Sequence, residues 1–352
     1  FLKEKGLQNE IELDIIHARY PFEIRQSKEK LAVERFGKAS LKDELDPEYI
    51  ERPKKFILIA TQIIEQSLDL DFDLLITDLA PIDLLFQRLG RLWRHERPDR
   101  PLEYKMPHVW VIEPESGAEG VPKLDLFKGI YSEYILFRTW LISKDKEYIN
   151  IPDDIEDLIE KTYGERMDVS SLSQDYQNCL IEMKQKEVSK ERKYFKEAED
   201  RLIKTPNCDE LYFIDMRNEN LKEDDPESHP AIQAATRLGK PTVNIVCLYE
   251  TEDGMVSLDL EGKRIINLDV APELELTKKL LLRAVQITHP VFYGYFIKQE
   301  VPKGWQNSAL LRYHRAVIFE NKAKIFSGGW EMSLDEELGI VFTKNKEVNK
   351  ED

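Results

Sequence analysis

Two hydrophobic periods alternate along the first hundred residues. Short apolar runs rich in β-branched residues, "IELDIIHA" (11–18), "KKFILIAT" (54–61), "DLLITDLA" (73–80) and "HVWVIEP" (108–114), read as buried strands. Between them, "EIRQSKEKLAVERFG" (23–37), closed by Gly37, and "PIDLLFQRLGRLWRH" (81–95) carry the helical period. Apolar strands alternating with helices predict a parallel sheet covered on both faces, an α/β domain. After a small-residue loop at 115–122 the pattern is helical to about 204, with an amphipathic "LDLFKGIYSEYILFRTWLIS", then "IPDDIEDLIEKTYG" and the densely charged "IEMKQKEVSKERKYFKEAEDRLIK". In that last segment eight basic residues interleave with six acidic ones, which favours a solvated helix with i,i+4 pairs over a nucleic-acid stripe. Strands return in "LYFIDM" (211–216) and "TVNIVCLY" (242–249), a mixed α/β region runs to about 343, and the tail should fray.

The helix expected at 81–95 carries the first chemical signal. Ile82, Leu85, Phe86, Leu89, Leu92 and Trp93 recur at core-facing spacing, which leaves Gln87, Arg91 and Arg94 stacked on the opposite face. Gly90 removes a side chain beside them and opens the approach of a bulky anion. A solvated face would mix Lys and Glu, whereas this one offers planar forks suited to bidentate phosphate recognition. The net charge of −16 sharpens the point, since an acidic chain has little general use for this cluster. That charge argues against a broad basic coat for nucleic acid, although a narrow basic channel stays compatible with it.

Upstream, "ATQIIEQSLDLDFD" (60–73) leaves one strand and enters the next. Thr61 falls at the carboxyl end of its strand, the ligand edge of an open α/β sheet, where a hydroxyl and backbone amides can hold a phosphodiester. Asp69, Asp71 and Asp73 could bond a ribose or the arginines, with plain loop solvation the ordinary explanation for at least one of them. Cys179, Cys208 and Cys247 are isolated, so neither a disulfide framework nor a zinc ribbon is expected, and the six scattered histidines make a metal site unexpected. No run approaches the ~20 apolar residues of a membrane span, and a reducing cytoplasm fits. The opening "FLKEKGLQNE" has neither a starting Met nor a signal sequence, which suggests a fragment.

Taken together, "ATQIIEQSLDLDFDLLITDLAPIDLLFQRLGRLWRHERP" resembles motifs V and VI of superfamily 2 helicases, and in particular the CRISPR-associated helicase–nuclease family of type I systems. Ser67 stands where the broader pattern has Gly. "IIHARYPFEIRQSKEKLAVERFGK" is similar to the segment around motif IV. The likeness is strong over 11–98, diffuse over 123–250 and absent beyond. It implies a RecA-like parallel sheet with helices on both faces, followed by a helical linker and a smaller mixed α/β accessory domain. The corresponding boundaries are 1–120 for a second RecA-like lobe, 121–204 for the linker and 205–352 for the accessory domain.

By the same resemblance, Arg91 and Arg94 are arginine fingers toward the γ-phosphate of ATP, and Gln87 bonds the nucleotide or the attacking water. Asp69 meets the ribose or aligns the fingers, Thr61 holds single-stranded DNA with His17 and Arg19, and Arg88 is a structural partner for carboxylates. ATP would come with magnesium held mainly by a first RecA-like lobe. Neither the Walker A loop, the DExx box nor the His-Asp doublet of an HD nuclease occurs in the chain, so alone it should be inactive. The implied partners are that lobe, the HD nuclease domain, single-stranded DNA and the Cascade surveillance complex. Another superfamily 2 helicase lobe, or a docking protein that kept the fold, are the alternatives.

Overall fold

The computed structural model describes residues 10–41, 45–47, 49–65, 68–98, 100–101, 103–165, 167–199 and 241–344. Ser67, Cys208, His229, the strand expected at 211–216 and the tail lie outside the described residues. The chain divides into two compact units, one comprising Phe1–Leu31, Lys54–Ile63 and Ala198–Asp352, the other Ala32–Pro53 and Ile64–Glu197.

In the first unit, strand β1 (Glu12–Ile16) pairs in parallel with β2 (Phe56–Ala60), Glu12 opposite Phe56 and Ile16 opposite Ala60. Helix α1 (Phe22–Phe36) lies between them in sequence, as a parallel connection requires. The remainder is built on β5 (Val243–Glu250), whose alternate residues serve two cores. Ile245, Cys247 and Tyr249 pack with Phe292, Phe296, Phe319, Met332 and Ile340. Val246 and Leu248 pack with Leu280, Trp305 and Leu311. Burial on both faces makes β5 a central strand, flanked by β8 (Ala284–Ile287, antiparallel), β9 (His314–Phe319, parallel) and the short β6 (Val256–Ser257), which β7 (Ile265–Ile266) joins in antiparallel. Strands β10 (Ala323–Phe326), β11 (Trp330–Asp335) and β12 (Gly339–Lys344) form an antiparallel meander.

The β11–β12 turn is fastened to the β1–α1 loop. Tyr20 donates its hydroxyl to the Glu337 carbonyl, and the Ile340 amide donates to the Arg19 carbonyl at 2.9 Å. Gly339 has φ of +64°, and a Cβ there would stand 2.6 Å from the Arg19 oxygen, so both conformation and closeness demand glycine.

In the second unit, β3 (Leu74–Asp78) pairs in parallel with β4 (His108–Ile112), Ile76 opposite Trp110 and Asp78 opposite Ile112. Helix α2 (Ile82–Leu89) follows β3, and α3 (Glu133–Ser143), α4 (Ile155–Tyr163) and α5 (Gln174–Glu199) supply the helical region. Ser132 caps α3 by accepting from the Ile135 amide. Buried Arg138 closes the end of α4 by donating to the carbonyls of Lys161 at 2.7 Å and Gly164 at 2.9 Å. Leu136, Phe137, Trp140 and Leu180 form the core of this region.

Two expectations need correction. Helix α2 stops at Leu89, six residues before the predicted end, because Trp93 turns into left-handed backbone (φ +51°) and residues 91–93 pair with Phe72 instead. The strands read as buried on both faces are also partly open. Ile57 and Ile59 on β2, and Ile76, Trp110 and Ile112 on β3 and β4, are all exposed. Apolar letters record that a face suits burial; they do not record what covers it. Among the described residues no helix is long and apolar enough to cross a membrane.

Candidate functional site

The segment after the 3-10 turn Gln62–Glu65 and the segment after α2 lie side by side. The Phe72 amide donates to the Arg91 carbonyl at 2.8 Å, and the Trp93 amide returns to the Phe72 carbonyl at 3.0 Å. On its other side the Asp69–Asp71 backbone presses on the end of α1. The Asp71 amide donates to the Phe36 carbonyl at 2.9 Å, and a Cβ on Gly37 would stand 2.7 Å from the Asp69 oxygen. The glycine that ends α1 therefore also admits the acidic loop.

The three aspartates have different fates, and none merely solvates a loop. Asp69 accepts from Arg94 Nε at 2.7 Å and lies 3.0 Å from His95 Nε2. Its burial alone would raise its pKa, but Arg94 and His95 outweigh that and hold it below the usual carboxylate range. Asp71 is fully buried, with Arg97 Nε at 2.7 Å and Arg100 Nη2 at 2.9 and 3.0 Å from its oxygens. Burial again pushes upward and is overcome by the Arg100 and Arg97 hydrogen bonds, so the carboxyl is held low. Asp73 accepts from Arg52 at 2.9 Å and Arg100 at 2.7 Å.

The basic residues divide in the same way. Arg88 is structural, donating to Glu65 (2.6 and 2.9 Å), Thr77 (2.7 Å) and Tyr131 (2.9 Å). Gln87 and Gly90 are exposed at the end of α2. Arg94 is 41 % exposed in its side chain, whereas Arg91 is only 8 % exposed and donates Nε to the Ile64 carbonyl at 3.3 Å. The predicted helical stripe is thus replaced by Gln87 on the helix and two arginines on the turn beyond it. Burial lowers the Arg91 pKa and the Arg94 charge lowers it further, with Asp69 opposing. The Arg91 and Arg94 charges act on one another, with Asp69 beside them, and a pair of guanidiniums suits a polyanion such as a triphosphate. Gly90 fits the same occupant. Its φ of −63° is ordinary, and a Cβ would meet only the Gln87 and Phe86 carbonyls at 3.4 Å. The fold does not need glycine at this position; an approaching group would.

In the first unit, Thr61 follows β2 and is exposed, its amide donating to the Ile16 carbonyl at 3.3 Å. Arg19 is exposed as well. His17 is not: it is buried, stacks on Tyr20 with ring centroids 4.3 Å apart, and accepts from the Arg19 amide at its Nδ1. Burial, then the Arg19 charge, lower its pKa. The ring shapes the loop from inside, which removes it from the surface where a DNA backbone would lie. Sequence reading missed Asp71, Arg97 and Arg100 as a group. The available signal was the three-residue spacing of Arg94, Arg97 and Arg100 opposite an aspartate triplet. Among the described residues no group of three or more His, Cys, Asp or Glu side chains is placed to hold a metal ion.

Residues 1–97 match the family model of the CRISPR-associated nuclease/helicase Cas3, C-terminal, and residues 237–340 match the Cas3 C-terminal domain. The CRISPR-associated endonuclease/helicase Cas3 of Thermus thermophilus is 36 % identical over 93 % of this chain and 34 % of its own length. A crystal structure of a CRISPR-associated protein superposes with a TM-score of 0.79 at 36 % identity, over 95 % of this chain and 35 % of that one. The T. fusca Cas3-ATP structure gives 0.74 at 25 % identity, over 97 % and 36 %. A chain in a CRISPR RNA-guided surveillance complex, pre-nicking, gives 0.69 at 26 % identity, over 97 % and 38 %. The chain spans about a third of the length of the curated relatives it matches. It belongs to the Cas3 family, and it corresponds to that family's C-terminal part.

Proposed function

We propose that this chain is the second motor lobe and C-terminal domain of an ATP-dependent single-stranded DNA translocase that unwinds and helps degrade foreign DNA in CRISPR interference. The observation that carries the reading is the exposed Arg94, anchored by Asp69 beside Gln87 and Gly90, on the turn that follows α2. Residues 1–120 form the RecA-like lobe, 121–204 the helical linker and 205–352 the accessory domain. ATP with magnesium, the metal held mainly by a first lobe, supplies the phosphoanhydride whose cleavage drives movement. Arg94 stabilises charge building on the γ-phosphate, Arg91 raises the local positive potential behind it, and Gln87 orients the nucleotide or water. Thr61 and Arg19 hold the DNA backbone. Alone, without Walker A, DExx and HD nuclease sequences, the chain is inactive. Its partners are the first lobe, the HD nuclease domain and the Cascade complex in the cytoplasm. A structural neighbour bound to ATP and another within a surveillance complex support this assignment.

The test is ATP hydrolysis with and without single-stranded DNA, by this chain alone and with the upstream lobe supplied. Silence alone and DNA-stimulated turnover on reconstitution are expected, with Arg94→Ala and Arg91→Ala abolishing turnover while DNA binding persists. Thr61→Ala should weaken DNA binding with ATP affinity unchanged. Hydrolysis by this chain alone, or wild-type turnover in Arg94→Ala, would overturn the reading.

A further inference from the structure

We propose that Asp71 and Arg100 are positioning residues for Arg94: from the interior they hold the turn that aims its guanidinium. The proposal rests on the nucleotide reading of Arg94 and adds two residues that touch no ligand. Left-handed backbone at Trp93 is disfavoured for any side chain but glycine, so something must hold it. The Asp71 carboxylate does so from below, accepting the Arg94 amide at 2.8 Å on the same oxygen that meets Arg100. Arg100 completes the hold. Its Nη2 donates to the His95 carbonyl at 2.7 Å, its Nη1 to Asp73 at 2.7 Å, and its guanidinium lies 4.4 Å from the centre of the Trp93 ring.

Residues 93, 94 and 95 are therefore gripped by ring, amide and carbonyl in turn. Both gripping side chains are essentially inaccessible, Asp71 at 0 % and Arg100 at 5 % exposure, so neither can serve as a ligand itself. Arg97 and Arg52 add further positive charge around Asp71, Arg97 also donating to Ser40. The carboxylate is thus ionised and its oxygens oriented. Only a planar fork can span Asp71, Asp73 and the His95 carbonyl while stacking on an indole; a lysine of the same charge cannot. On the exposed side, Arg94 is left with one committed contact, Asp69, and one intrachain bond to the Gly90 carbonyl at 3.2 Å.

The experiment is a kinetic cycle in the full-length protein with single-stranded DNA present. Asp71→Asn and Arg100→Lys are made singly and each in an Arg94→Lys background, where retained charge leaves turnover measurable. Misplacement of a catalytic group by about an ångström can cost up to about a hundredfold, so each single variant should lower kcat by roughly ten- to a hundredfold with KM for ATP within about twofold. In the Arg94→Lys background the same changes should add less than about twofold, because residues acting through one group are not additive. Should Asp71→Asn fail to fold, Arg100→Lys, which keeps the charge, decides the matter. Equal fold-losses in both backgrounds, or wild-type kcat in a folded single variant, would overturn the positioning role. Wild-type turnover in Arg94→Lys and Arg94→Ala alike would instead sink the nucleotide reading beneath it, a result seen before any Asp71 or Arg100 variant is made.

Discussion

Replacing Gly90 with alanine separates what the fold needs from what a ligand needs. The backbone at Gly90 (φ −63°, ψ −2°) is open to alanine, and the added methyl would meet only two carbonyl oxygens at 3.4 Å. Where native geometry permits it, Gly→Ala stabilises by about 0.4–1 kcal/mol through the unfolded chain. That corresponds to a rise in Tm of roughly 1–4 °C for domains of this size. The methyl would stand at the exposed end of α2, over the Gln87 and Phe86 carbonyls. If a phosphate approaches there, displacing it forfeits a charge-assisted hydrogen bond of about 1.5–3 kcal/mol. At 1.36 kcal/mol per decade, kcat/KM for ATP falls about ten- to a hundredfold. The assay pairs thermal unfolding of this chain with DNA-stimulated phosphate release in the full-length protein. A more stable yet crippled enzyme is expected. Unimpaired turnover would show that no ligand uses the space, and a lowered Tm would show that the space is not open.

Further predictions follow from packing. Arg88→Ala removes the cation from nearly buried Glu65 and a hydrogen-bond donor from Thr77 and Tyr131, so it should cost about 3–5 kcal/mol, read from the urea midpoint. Gly339→Ala forces a Cβ against the Arg19 carbonyl at a positive φ, costing at least about 1 kcal/mol and speeding hydrogen exchange at the Ile340 amide. Asp71 has a depressed folded-state pKa, so the stability it contributes is complete above the ordinary carboxylate value of about 3.8 and is lost as pH falls through the lower folded value. Unfolding followed from pH 6 downward should show that acid-side loss, and Asp71→Asn should flatten it.

Much of this arrangement could be read in advance, and the failures have physical causes. The strands observed at 56–60 and 74–78, and the helix ending at Phe36 just before Gly37, follow directly from period and punctuation. The end of α2 does not, because Leu92 continues the helical spacing in letters while its backbone pairs with Phe72. A tertiary pairing overrode a local period. Arg88 declared itself as structural by contrast with its neighbours, but Arg91 did not, since a long cation reads the same whether its head is in water or against the Ile64 carbonyl. Likewise His17 and Asp71 are letters of surface chemistry whose burial depends on partners distant in sequence, Leu338 and Arg100 among them.

Trp110 is the opposite case, a large apolar side chain left 63 % exposed on the open face of β4 next to Ile76 and Ile112. Of the chain's five tryptophans, Trp140 and Trp305 are buried and Trp93 and Trp330 half-buried, which makes Trp110 the one set in water. It is a built-in optical gauge. With Trp93, Trp140, Trp305 and Trp330 changed to phenylalanine, the emission maximum of the remaining indole would report directly on that face, shifting to the blue whenever another surface closes over it.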